Sequence, residues 1–186
     1  MKAKVKSLKT NLVGTTVPTT ENGHAARYIE QSLAKQGFRV DTRGTLDLPD
    51  YNTEVKSRNI DATSAQTVGS MTPEHIKTTP YRESTIFKKI QQQFRVYIKE
   101  DVIVDARVVD FSWNEIQNRI EESYEAARKR IIEGQDSNYI PGGPYGYFER
   151  TVKGSNSYDF RLRDQAMKKL ESMATSTFQN LFTFEK

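Results

Sequence analysis

Glu54-Val55-Lys56 carries the residues best suited to chemistry in this chain. On an extended strand, residues two apart project from one face, so Glu54 and Lys56 point together while Val55 turns to the other side. A further acid at Asp47 or Asp50, arriving from the preceding turn, completes a pocket of two carboxylates and one ammonium. Hard Mg²⁺ favours such oxygen ligands, and a site with few protein ligands leaves room for water and phosphate. The ion would lower the pKa of a bound water and steady the charge that develops in phosphodiester hydrolysis. Lys56, a compact cation, would orient that water or stabilise the pentavalent phosphate. The tripeptide alone is more often a solvated strand face, so the elements around it matter.

Apolar periodicity predicts a first helix from Glu21 to Gln36, with Ala25, Ala26, Ile29 and Leu33 on one side and Gly37 as the stop. Phe38–Asp41, Thr53–Arg58, Thr63–Met71, Phe94–Ile98, Val102–Val109 and Tyr147–Val152 alternate or run apolar as strands do. Pro73 and Pro80 bracket a loop with room for a short turn between them, and a short helix fits Glu83–Gln91. Trp113–Glu133 is the clearest helix, striped by Trp113, Ile116, Ile120, Tyr124, Ala127 and Ile131, acidic early and basic late in accord with its dipole. The Gly/Pro/Tyr-rich stretch 138–147 reads as a mobile loop, and a last helix spans Arg163–Leu181. Residues 1–20, rich in lysine and threonine, read as a flexible arm or an irregular first segment. The order predicts one α/β (α+β) domain over residues 1–186, a central mixed β-sheet flanked by helices.

With Pro49 before it, Asp50-x₃-Glu54-x-Lys56 matches the minimal PD-(D/E)xK nuclease pattern. Read in full, Asp47-Leu48-Pro49-Asp50-Tyr51-Asn52-Thr53-Glu54-Val55-Lys56 resembles the catalytic segment of the MutH family of DNA endonucleases. That family includes a strand-nicking mismatch-repair enzyme and GATC-cutting restriction enzymes. The resemblance sets the metal-binding aspartate on Asp47, with Glu54 as the second ligand and Lys56 completing the set. Asp50 stands as the alternative ligand, because Asn52 suggests a turn that hides the strand parity. In the first helix, a glycine (Gly23) seven residues before a glutamate aligns Glu30 with the family's active-site glutamate. Tyr81–Ile90 is similar to the family's aromatic-led short helix and aligns Lys89 with its lysine, with Lys88 one step away as a rival. Tyr147–Gly154 and Phe160–Arg163 resemble segments that approach DNA, with Lys153 matching a lysine there and Thr151 standing where the repair enzyme has an arginine. Arg150, Lys153, Arg161 and Arg163 also belong to a basic cluster in the C-terminal third suited to phosphates. The resemblance covers residues 22–181 in order and implies a restriction-endonuclease-like core.

Composition is compatible with this reading. A net charge of +4 and a pI near 9.2 permit a polyanionic partner. The absence of cysteine excludes thiol catalysis and disulfide scaffolds, and two histidines argue against a histidine-built metal centre. No apolar run approaches the ~20 residues that span a bilayer, and no signal core follows the basic start, so the expected setting is cytoplasmic. The sequence thus predicts a Mg²⁺-dependent, site-specific endonuclease on double-stranded DNA. A type II restriction enzyme is favoured over a strand-nicking repair enzyme, a junction nuclease or a non-catalytic DNA-binding module, with monomer or homodimer left open.

Overall fold

The computed structural model describes residues 11–18, 24–151 and 156–182, with side chains to Ala174 in the last helix. Among these residues the chain is a mixed α+β protein with five helices and two sheets. It packs as two compact units, Met1–Ala62 with Gln91–Val109, and Thr63–Ile90 with Asp110–Lys186.

The first unit holds helix α1 (His24–Lys35) and a sheet of β1 (Glu54–Asn59), β3 (Gln92–Lys99) and β4 (Val102–Asp110, its last residue in the second unit), in the order β1-β3-β4. Ile29 and Leu33 of α1 are fully buried among Val55, Phe94, Val96, Ile98, Ile103 and Ala106. The helix closes at Gly37, whose φ is +85°. There the Phe38 amide donates to the Leu33 carbonyl (3.2 Å) and the Gly37 amide to that of Ala34 (3.0 Å). This is a Schellman closure, and Phe38 supplies the apolar contact that usually accompanies it. Phe38–Asp41, predicted as a strand, is therefore the end of a helix cap and the chain leading from it. Glu100 and Asp101, both at positive φ, turn β3 into β4, as a tight two-residue hairpin requires.

Of the two readings of this stretch, a flexible arm or an irregular first segment, residues 11–18 follow the second. Leu12 and Val17 are buried, Gly14 N–H donates to the Ile103 carbonyl at 2.8 Å, and Val17 N–H donates to that of Asp101 at 2.7 Å. The two buried side chains, Leu12 and Val17, suffice to seat this segment along β4; residues 1–10, 19 and 20 lie outside the described residues.

The second unit is an antiparallel sheet of β2 (Gln66–Met71), β5 (Tyr139–Pro141), β6 (Gly146–Arg150) and β7 (Tyr158–Leu162), ordered β2-β7-β6-β5, with α2 (Pro73–Thr78), α3 (Thr85–Gln91, its last residue in the first unit), α4 (Asn114–Ile132) and α5 (Asp164–Phe182). The strands thus divide between two sheets where one central sheet was predicted. β7 was not foreseen, although Tyr158, Phe160 and Leu162 alternate as buried strand residues do. Tyr124 of α4 packs on Phe148 and Phe160, with ring centroids 5.4 and 5.6 Å away. Trp113, predicted in the α4 stripe, is the cap residue before the helix and is exposed. Residues 73–78, read as a loop holding at most a short turn, form the six-residue helix α2, because Pro73 fits the first helical position and Thr72 caps it by accepting from the His75 amide. No helix among the described residues is long and apolar enough to cross a membrane.

The stretch 138–147 is ordered by close packing. β5 pairs with β6, and the Tyr145 amide donates to Ser123 Oγ at 3.0 Å. A Cβ on Gly142 would collide with the carbonyl oxygens of Gly146 and Ser123, and one on Gly143 would stand 2.9 Å from Ser123 Oγ. These glycines serve backbone contact with α4, which composition cannot distinguish from a mobile loop. Gly142→Ala is expected to destabilise the protein by about 1–3 kcal/mol through overpacking, measurable as a lower urea midpoint.

Candidate active site

In the first unit, the chain between α1 and β1 folds back on itself before the strand begins. The Asp41 amide donates to the Asp47 carbonyl (2.9 Å), Leu48 and Thr53 form an antiparallel bridge, and Pro49–Tyr51 makes a 3-10 turn between them. Asn52, at φ 50°, supplies the left-handed residue that reverses the chain; asparagine tolerates that region better than most. Tyr51 packs on Phe38 (centroids 5.7 Å apart), and Gln92 Nε2 donates to Thr53 Oγ1 at 2.6 Å, fastening the turn to β3.

The fold-back separates the two rival aspartates. Asp47 Oδ2 accepts from the Val55 amide at 2.9 Å, so its carboxylate sits against the start of β1. Asp50 stays on the exposed turn, 3.5 Å from Arg39 Nη1. Two carboxylates, Asp47 and Glu54, are thus fixed at the start of the strand, and Asp50 is directed elsewhere.

On β1, the side chain of Glu54 is almost wholly buried, and Lys56 Nζ donates to its Oε1 at 2.9 Å with the lysine side chain 27% exposed. Val55 points to the apolar core on the other face. Glu30 of α1 is half-buried, and its carboxyl is held above the ordinary glutamate range, first by burial and then by the negative charges of Asp47 and Glu54; Arg27 and Lys56 pull the other way. That coupling places Glu30, Asp47, Glu54 and Lys56 in one electrostatic neighbourhood.

Sequence reasoning placed a strand at Phe94–Ile98 but missed Gln93 and Arg95 as neighbours of these residues. β3 runs parallel to β1 with Gln93 paired to Glu54 and Arg95 to Lys56, so all four side chains share a face. Gln93 and Arg95 are buried, Arg95 to 2%, and Arg95 Nη1 donates to Gln93 Oε1 at 2.7 Å. The signal was present as polar residues at every second position from Gln93 to Tyr97, but this alternation also describes a strand with one wet face.

The other predicted residues lie in the second unit. Lys89 of α3 is half-buried, and its stem lies 3.1 Å from where a Cβ on Gly69 would stand; Lys88 is exposed. Arg150 is ion-paired with Asp136 and stacks over Tyr158 (5.0 Å), and Arg161 is ion-paired with Glu149. Arg163 lies over the Tyr147 ring (5.0 Å) and donates to Tyr139 Oη at 2.8 Å. Lys153 is outside the described residues.

No family model matches the chain, and no curated protein is significantly similar to it.

Among the described residues no group of three or more histidine, aspartate or glutamate side chains is arranged to hold a metal ion. Asp47 and Glu54 offer two hard carboxylates, the donor set that Mg²⁺ takes when water and phosphate fill its remaining positions.

A glutamate whose pKa is raised by folding lowers stability as pH rises from its unfolded to its folded value, and the loss then stays constant above it. Glu30→Gln is therefore expected to melt higher than the parent chain at neutral pH. The difference should vanish as pH falls below the ordinary glutamate range, a trend that thermal unfolding across pH will check.

Proposed function

We propose that this chain is a Mg²⁺-dependent endonuclease acting on double-stranded DNA, of the MutH type that its sequence resembles, with a restriction-endonuclease-like core. The observation that carries the reading is the pairing of buried Glu54 with Lys56 beside Asp47, whose carboxylate accepts from the Val55 amide of the same strand. An ion pair kept largely out of water is costly, since each desolvated charge loses several kcal/mol, about what a good partner returns. Such an arrangement is weakly justified by stability and well justified by catalysis.

Asp47 and Glu54 would hold Mg²⁺, which supplies a water of lowered pKa and neutralises charge on the phosphate. Glu54 takes one hydrogen of the Lys56 ammonium and thereby fixes its direction. The remaining two hydrogens are donors for the attacking water or a non-bridging phosphate oxygen. Glu30, whose carboxyl binds a proton more readily than an ordinary glutamate, is suited to hold a proton at the edge of this cluster. Arg163, resting on Tyr147, offers a cation for sequence-independent phosphate contact, as the basic net charge also does. One asymmetric site per chain must nick twice, or pair with a second subunit, to cut both strands; a type II restriction role requires one of these.

Supercoiled, unmethylated plasmid with Mg²⁺ is expected to be cut by the purified protein and left intact in EDTA. Lys56→Ala should lower the rate by about 10²–10³-fold while circular dichroism reports a folded chain. Absence of cleavage on several such DNAs, or an unchanged rate for Lys56→Ala, would overturn the proposal. Salt-sensitive DNA binding without metal-dependent cleavage would identify a non-catalytic binding module instead.

A further inference from the structure

Parallel strands buried on both faces are normally apolar on both. β1 and β3 break that rule on one face only, where Glu54 lies beside Gln93 and Lys56 beside Arg95 in direct register. The opposite face, with Val55, Phe94, Val96 and Ile98, follows it. Setting two cations directly opposite one another works against strand pairing, and burying a guanidinium costs several kcal/mol before any partner is counted. Sheet stability therefore does not explain this row.

The chemistry of the row has a direction. A guanidinium only donates, so the Gln93 atom 2.7 Å from Arg95 Nη1 has to be the carboxamide oxygen. That contact turns the two N–H donors of the Gln93 amide away from Arg95. Arg95 is itself held from its other side, where Nε donates to Tyr97 Oη at 3.2 Å. Tyr97 also stacks under Arg107, whose guanidinium lies 4.7 Å from the ring centroid. The chain Tyr97–Arg95–Gln93 thus runs along β3 toward the residue in register with Glu54.

We infer that Gln93 and Arg95 are positioning residues for Glu54: Arg95 fixes the Gln93 amide, and the amide in turn orients the neighbouring carboxylate for its metal. This inference rests on the nuclease reading, in which Glu54 is a metal ligand. Ligating carboxylates are commonly held by such outer partners, and losing one typically costs 10–100-fold in metal affinity or activity.

The test is direct Mn²⁺ binding by the full-length chain, followed by the EPR signal of the free ion, with thermal melts to establish folding. Gln93→Met, which removes a neutral amide and keeps its bulk, should weaken Mn²⁺ binding about 10–100-fold. Arg95→Met should do the same, and Arg95→Lys, which retains a donor for the amide oxygen, should recover part of the loss. Should Arg95→Met fail to fold, Gln93→Met and Arg95→Lys carry the comparison. Folded Gln93→Met with the affinity of the parent chain would overturn the inference while leaving the nuclease reading intact. A parent chain that binds no Mn²⁺ would overturn both.

Discussion

Glu54 is a carboxylate with almost no access to water, and the architecture of the first unit can be read as the means of keeping it there. Val55 anchors the strand in the apolar core on one side, which forces Glu54 and Lys56 to the other by the two-residue period of the chain. Parallel pairing with β3 then encloses the carboxylate beside Gln93 and Arg95, and Lys56 meets it at 2.9 Å. Removing one partner of a buried pair leaves an uncompensated charge, at a cost of about 3–5 kcal/mol when burial is complete. Core, register and site are therefore coupled, and a one-residue slip of β1 would send its polar side chains into the core.

Much of this was legible in the sequence, because periodicity survives without knowledge of tertiary contacts. The extended run through Glu54 and Lys56, the helices ending at Gly37 and Gly134, and the apolar stripe from Ile116 to Ile131 all follow from spacing and from glycine at the stop. Spacing left Asp47 and Asp50 as rivals, and only the resemblance favoured Asp47. Their different surroundings depend on Asn52 adopting φ 50° and on Gln92 fastening the turn to β3, a contact between residues 39 apart in sequence. Gln93 and Arg95 were missed for a related reason: alternation reveals which residues share a face, while only packing reveals that both faces are covered.

The misread segments have one origin as well. Composition counts residue types but does not say what each residue touches. Leu12 and Val17 seat residues 11–18, part of a lysine- and threonine-rich stretch that suggested an arm or an irregular segment. Gly142 and Gly143 let the backbone approach α4 at Ser123, although glycine and proline together suggested a mobile loop. Tyr158, Phe160 and Leu162 form an interior strand of the second sheet, and their short run stood too close to a polar motif to be separated from it. Of the arginines expected on DNA, Arg150 and Arg161 are engaged by carboxylates, whereas Arg163 rests on the Tyr147 ring.

Locating the metal tests the central claim most directly. Crystals of the protein grown with a DNA duplex and soaked in Mn²⁺ allow the ion to be placed by anomalous scattering. The predicted result is a peak within bonding distance of the carboxylates of Asp47 and Glu54, with Lys56 facing a phosphate oxygen or an ordered water. A peak held by other residues, or none beside these carboxylates while DNA is bound, would contradict it.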